Sequence, residues 1–131
     1  METFWPGPLT IVFPVGVGLS DAMTAGTNSI GIRLSAWQPL VDLLCRVGPV
    51  TGTSANREGF QPPRTAEEAQ QSLGDALDLI IDAGPTPGGP PSTVVDVQGP
   101  IRIVRNGVIE RQAIVAQLDA HHPHLDEDSR R

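Results

Sequence analysis

Fourteen glycines and thirteen prolines among 131 residues constrain this chain more than any other feature. Proline removes a backbone donor and fixes φ, and glycine weakens helix and strand interiors. The two residue types cluster between apolar runs and follow no collagen period, so the fold must be built from short elements joined by many loops. Apolar residues still make up 39% of the chain and charged residues 18%. That balance belongs to a globular chain with a packed core, and the length suits one domain with one core.

The segments between the breakers alternate in type. "LTIVFPV" reads as a strand, residues 16–28 as a small-residue loop, and "SIGIRL" as a second strand with Ile30, Ile32 and Leu34 on one face. "QPLVDLLCRVG" fits a helix: Pro39 suits its first turn, Leu40, Leu43, Leu44 and Val47 form an apolar stripe, and Gly48 ends it. A short strand is expected around Pro49 to Thr53. "RTAEEAQQSLG" has helix signals at both ends, with Thr65 as cap, Glu68 completing a capping box and Gly74 as stop. "LDLIIDAG" reads as a buried strand, "PTPGGPP" as a loop, and "STVVDV" and "IRIVRNG" as neighbouring strands. Residues 110–119 form a last short helix ahead of a disordered polar tail. Strands alternating with helices imply an α/β layer architecture.

Charge and composition exclude several classes of function. The net charge is −6 and the sequence pI about 4.8, which argues against a broad nucleic-acid surface. All nine basic residues are arginine, so Schiff-base chemistry has no lysine to use, whereas bidentate clamping of carboxylate or phosphate is well served. The single Cys45 lies on the apolar helix pattern and reads as a buried, inert thiol. No apolar run reaches the roughly 18 residues of a membrane span and no signal peptide opens the chain, so the cytoplasm is the expected compartment.

Polar groups collect where strands end: Arg33, the Thr53-Ser54-Asn56 cluster, Ser92-Thr93 and Arg105. In α/β sheets such positions gather ligands. Hydroxyls and amides can hold an amine, hydroxyl or carboxylate, and arginines can hold carboxylate or phosphate. The glycine-rich loop before Ser92 would let backbone N–H groups approach a phosphate. Each feature also has an ordinary structural reading, as a turn, a cap or a solvated strand residue.

Taken in order, "FWPGPLT", "SIGIRL", "GTSANREG", "TAEE", "GPTPGGPPSTVVD" and "IRIVRNGVI" resemble the second half of the Sua5/YciO/YrdC family, the threonylcarbamoyl-AMP synthases. The resemblance runs from about Phe4 to Ile109. It implies an α/β fold with a YrdC-like twisted mixed sheet, flanking helices and a concave cavity, incomplete at the N-terminus, over a partial YrdC-like domain at 1–109 followed by a short helix and tail at 110–131. It also implies a reaction for tRNA threonylcarbamoyladenosine modification, in which L-threonine, bicarbonate and ATP give threonylcarbamoyl-adenylate and pyrophosphate. ATP is then a substrate, expected with Mg2+. The implied roles are Arg33, Ser54 and Ser92 for threonine, and Ser29, Thr53, Ser54, Asn56 and Arg105 for ATP. Thr93 supports, and no residue acts as catalytic nucleophile or metal ligand. The implied partners are a downstream tRNA-modification transferase complex and tRNA, with no membrane.

The chain also departs from the family pattern. The aromatic opening "METFWPGP" reads as the middle of a larger fold, and the family's N-terminal segment with its Lys/Arg-rich phosphate-binding motif is not matched. "REGFQPPRT" replaces the usual Ser-Gly-rich loop after "TSAN". An alternative function is a non-catalytic YrdC-like module that binds nucleotide or double-stranded RNA. A hydrogenase-maturation carbamoyltransferase is disfavoured by the single cysteine and short length. The His121-His122-Pro123-His124 cluster is expected to lack helical ligand spacing, and Asp82 and Asp96 are expected to support the fold rather than magnesium.

Overall fold

A computed structural model describes residues 3–16 and 18–121. The chain falls into two compact units, one formed by residues 1–45 with 90–131 and the other by residues 46–89.

The first unit holds a four-stranded mixed sheet. Its strands are β1 (Leu9–Pro14), β2 (Ser29–Ile32), β3 (Thr93–Asp96) and β4 (Arg102–Arg105), in the order β2-β1-β3-β4. β1 runs parallel to β3 and antiparallel to β2, while β3 and β4 are antiparallel. Alternation along β1 sends Leu9, Ile11 and Phe13 to one face, and register places Thr93, Val95 and Ile103 beside them. Helix α4 (Arg111–His121) supplies Ile114 and Leu118 to that side, so the core comprises Leu9, Ile11, Val95, Ile109 and Ile114 with Phe4, Trp5, Val97 and Ile101 at its margin. Burying such side chains is worth roughly 1.5–3 kcal/mol each and holds the sheet against its helix. The two opening aromatics thus pack against the core; the Trp5 indole N–H donates to Leu9 O at 2.7 Å. A single turn of helix, α1 (Asp21–Thr24), interrupts the segment read as loop.

Helix α2 (Gln38–Val47) crosses the boundary between the units with the expected limits, and Gly48 follows at φ 82°. Cys45 is exposed, contrary to the expectation of a buried thiol. It falls off the Leu40-Leu43-Leu44 stripe, whose members are half-buried.

The second unit is organised by α3 (Ala66–Leu73). Thr65 Oγ1 accepts from Glu68 N, as the capping box requires, but the Glu68 carboxylate reaches one residue further back and accepts from Arg64 N at 2.6 Å. Gly74 ends the helix at φ 53°. Two sequence expectations fail in this unit. No strand forms over Pro49 to Thr53, and none forms over "LDLIIDAG", where Leu79 and Ile81 are 77% and 65% exposed. Both segments carry β propensity, but a strand needs a partner's ladder, and neither has one among the described residues.

The tail expected to be disordered lies outside the described residues, as do His122 and His124 of the histidine cluster.

Candidate functional site

The face of the sheet opposite α4 carries the polar residues. Thr10 and Val12 point there by alternation, with Gly31, Val94, Asp96 and Arg102 beside them by register. Arg105 joins them because of a β-bulge. Val94 pairs with Arg105 but Val95 pairs with Ile103, so Val104 is an extra residue with no counterpart and stands 58% exposed. An unbroken register would set Arg105 opposite Thr93, on the core face. The bulge turns its guanidinium to the open face instead.

There Arg105 meets Ser92. Arg105 Nε and Nη2 donate to Ser92 O at 3.2 and 3.0 Å, and Nη2 also donates to Ser92 Oγ at 3.1 Å. Ser92 Oγ lies 2.8 Å from Thr10 Oγ1. Thr10 is the residue that the sequence reading missed. Its signal was available, since it carries the single hydroxyl in the period-two pattern of "LTIVFP".

Thr93 points the other way. It is fully buried, and its Oγ1 donates to Ile109 O at 2.8 Å and accepts from Ile109 N at 3.0 Å. It clasps the segment that follows β4. That segment runs so close that a Cβ on Gly107 would lie 2.2 Å from Pro91 O. The backbone of "PSTVVD" is thereby held while Ser92 faces outward.

Arg33 stands two residues beyond Gly31. Its Nε donates to Gly7 O at 3.1 Å, and both Nη nitrogens lack partners among the described residues. Ser29 is more constrained. Thr27 Oγ1 donates to Thr24 O at 2.6 Å, so in the 2.9 Å pair between Thr27 and Ser29 the proton must come from Ser29. Ser29 therefore offers acceptor lone pairs, which suit a ligand N–H or O–H better than a phosphate oxygen.

Thr53, Ser54 and Asn56 belong to the second unit and lie in its loop rather than at a strand end; Thr53 and Ser54 are exposed. Asn56 Nδ2 donates to Arg57 O and Phe60 O, both at 2.9 Å, which fixes the amide and leaves Oδ1 without a partner among the described residues. The proline-glycine loop of this unit is tied by Arg64, whose Nη2 donates to Pro87 O at 3.1 Å. Gly88 has φ 70°, and a Cβ there would come within 3.0 Å of Arg64 Cζ, so its bareness makes room for a guanidinium. An open depression of about 400 Å³ flanks α3, lined by Ala66, Glu67, Gln70, Gln71, Ile80 and Asp82, and takes in none of the predicted site residues.

The carboxylates serve the fold. Asp96, 6% exposed, accepts from Gln98 N at 2.9 Å and from Arg102 Nη2 at 2.8 Å. The Gln98 backbone N–H first, and the Arg102 guanidinium after it, hold the Asp96 carboxyl below the ordinary carboxylate range. Asp82 accepts from Gly84 N. Among the described residues no three histidines, cysteines or carboxylates group as metal ligands, and no helix is long and apolar enough to cross a membrane.

The family model for Sua5/YciO/YrdC, described as telomere recombination, matches residues 1–107. A threonylcarbamoyl-AMP synthase of Idiomarina loihiensis is 37% identical over 93 residues, which cover 70% of this chain and 50% of that protein. A putative threonylcarbamoyl-AMP synthase of Mycobacterium tuberculosis is 35% identical over 92% of this chain and 57% of its own length. The chain thus spans about half the length of these curated relatives. The crystal structure of P. abyssi Sua5 complexed with L-threonine superposes with a TM-score of 0.80 at 30% identity, over 88% of this chain and 34% of that one. E. coli YciO superposes with a TM-score of 0.73 at 26% identity, over 86% and 56%. A mixed sheet with one helix-covered and one open polar face, read together with these matches, places the chain in the Sua5/YciO/YrdC family.

Proposed function

We propose that this chain contributes the threonine- and nucleotide-facing sheet of a threonylcarbamoyl-AMP synthase. In that reaction the amine of L-threonine takes up the carbon of bicarbonate, with loss of water, to form a carbamate. A carbamate oxygen then attacks the α-phosphorus of ATP and pyrophosphate leaves. The step asks for alignment and for donors aimed at oxygens that gain charge, not for a protein nucleophile.

The observation that carries the reading is the open sheet face, where Arg105 holds an outward Ser92, with Arg33 just past the end of β2. Arg33, with both Nη nitrogens uncommitted, takes the threonine carboxylate as an end-on pair. Ser92 meets the same amino acid. Arg105 keeps Nη1 for the nucleotide while its other nitrogens hold Ser92. Ser29 accepts from the nucleotide side. In the second unit Ser54 serves both substrates, and Thr53 and Asn56 serve ATP. Magnesium arrives with the ATP phosphates. Asp96 and Asp82 are committed to Gln98, Arg102 and Gly84, so no step is routed through a metal held by them. The product passes in the cytoplasm to a transferase that modifies tRNA.

Incubating the full chain with labelled threonine, bicarbonate and ATP tests this. Pyrophosphate release that depends on all three substrates is the expected result. Binding of threonine or ATP with no turnover would favour a non-catalytic binding module instead, and binding of neither would overturn both readings.

A further inference from the structure

Three groups meet at the start of β3, and their proton accounting has a consequence for the ligand. Ser92 Oγ accepts a hydrogen bond from the Arg105 guanidinium at 3.1 Å and lies 2.8 Å from Thr10 Oγ1. A guanidinium only donates, and each hydroxyl has one proton. If Thr10 donates to Ser92, the Ser92 proton is left over; if Ser92 donates to Thr10, the Thr10 proton is left over. Either way the pair retains one uncommitted hydroxyl proton, polarised by a cation at the other end of the chain of bonds.

The rotamer of Thr10 is held as well. A β-branched side chain has few χ1 choices, and the Thr10 methyl occupies the space left by Gly31, where a Cβ would lie 3.1 Å from Thr10 Cγ2. With the methyl under Gly31 on β2, the hydroxyl is directed at Ser92, beside β3.

We propose that Thr10 is a positioning residue of the ligand site: it fixes the Ser92 hydroxyl so that the coupled pair presents a single donor to an acceptor oxygen of the bound amino acid. This rests on the functional reading above, which supplies the ligand. It adds the class of group that the free proton meets, a carboxylate or carbamate oxygen of the bound amino acid.

Calorimetric titration of the full chain with L-threonine, and separately with ATP, tests the assignment on Thr10→Val and Thr10→Ser. Thr10→Val keeps the shape and removes the hydroxyl. It is expected to weaken threonine binding about tenfold, because the Ser92 hydroxyl loses the partner that orients its proton, and to leave ATP binding unchanged. Thr10→Ser is expected to restore threonine binding. Should the valine variant fail to fold, Thr10→Ala against Thr10→Ser carries the same comparison. Unchanged threonine affinity in the hydroxyl-free variant overturns the proposal. A parallel loss of threonine and ATP affinity, which an ordinary packing role would give, overturns it too. A native chain that binds no threonine overturns the functional reading itself, and the assignment with it; that result is read from the unsubstituted protein alone.

Discussion

At the scale of single residues, the motif "PST" divides its labour between adjacent hydroxyls. Ser92 faces the open side and is held by Arg105 and Thr10, while Thr93 faces the core and is held by both backbone groups of Ile109. Strand alternation alone separates the two roles. Thr93→Val should therefore affect stability rather than ligand affinity. It keeps the side-chain shape but leaves the buried N–H and C=O of Ile109 unpaired, at a cost of roughly 2–3 kcal/mol. Urea unfolding of native and variant chains measures this, and a difference below about 0.5 kcal/mol would show that the clasp adds nothing net.

At the scale of elements, the β3–β4 pair carries two devices. The first is the bulge. Deleting Val104 would set Arg105 directly after Ile103 and so leave it opposite Val94 on the open face, and a chain that still folds should keep the Arg105–Ser92 bonds. The Arg105 Nε–H resonance reports this directly: it should stay near its native position in the deletion variant, and a resonance moved to that of a free guanidinium would mean that pairing with Val94 does not aim the side chain. The second device is the Asp96–Arg102 tie, reinforced by Gln98 N. Because the Asp96 carboxyl titrates below its unfolded value of about 3.9, the unfolded chain takes up that proton first as the medium is acidified. The tie's contribution is complete above about pH 5 and is lost as pH falls through the folded-state value. Urea midpoints for Asp96→Asn and native chain should therefore differ at pH 6 and draw together as the medium is acidified below the unfolded value; a gap constant with pH would refute this account. The sequence made these four strands legible because each has a neighbour and a hydrophobic period. It also singled out Ser92 and Arg33 as polar groups next to strand ends, where one precedes β3 and the other follows β2. The bulge was not readable, since nothing in "IRIVRNG" marks Val104 as the extra residue. The segments at 49–53 and 77–84 misled for a related reason, because β propensity is local and pairing is not. Thr10 escaped notice since its role depends on Ser92, 82 positions away.

At the scale of the whole molecule, order is distributed unevenly between the two units. Among the described residues every buried one belongs to the first: Gly7, Leu9, Ile11, Thr24, Thr93, Val95, Asp96, Ile109 and Ile114. No residue of 46–89 is buried, and the one α-helix that lies wholly within that unit, α3, has an exposed flank. Local opening free energy follows buried contacts, and binding segments are drawn from the low-stability end. The loop bearing Thr53, Ser54 and Asn56 fits that rule. Native-state hydrogen exchange should find the β1 and β3 amides opening only with global unfolding. Amides of 46–89 outside α3 should exchange by local opening, with protection at least about a hundredfold lower. Adding ATP with threonine should then slow exchange at 53–56 more than in β1, because a ligand that binds only the ordered loop must stabilise it by mass action. Equal protection in both units before any ligand is added would show that the second unit shares the stability of the sheet. The loop at 53–56 would then be preformed rather than ordered by what it binds.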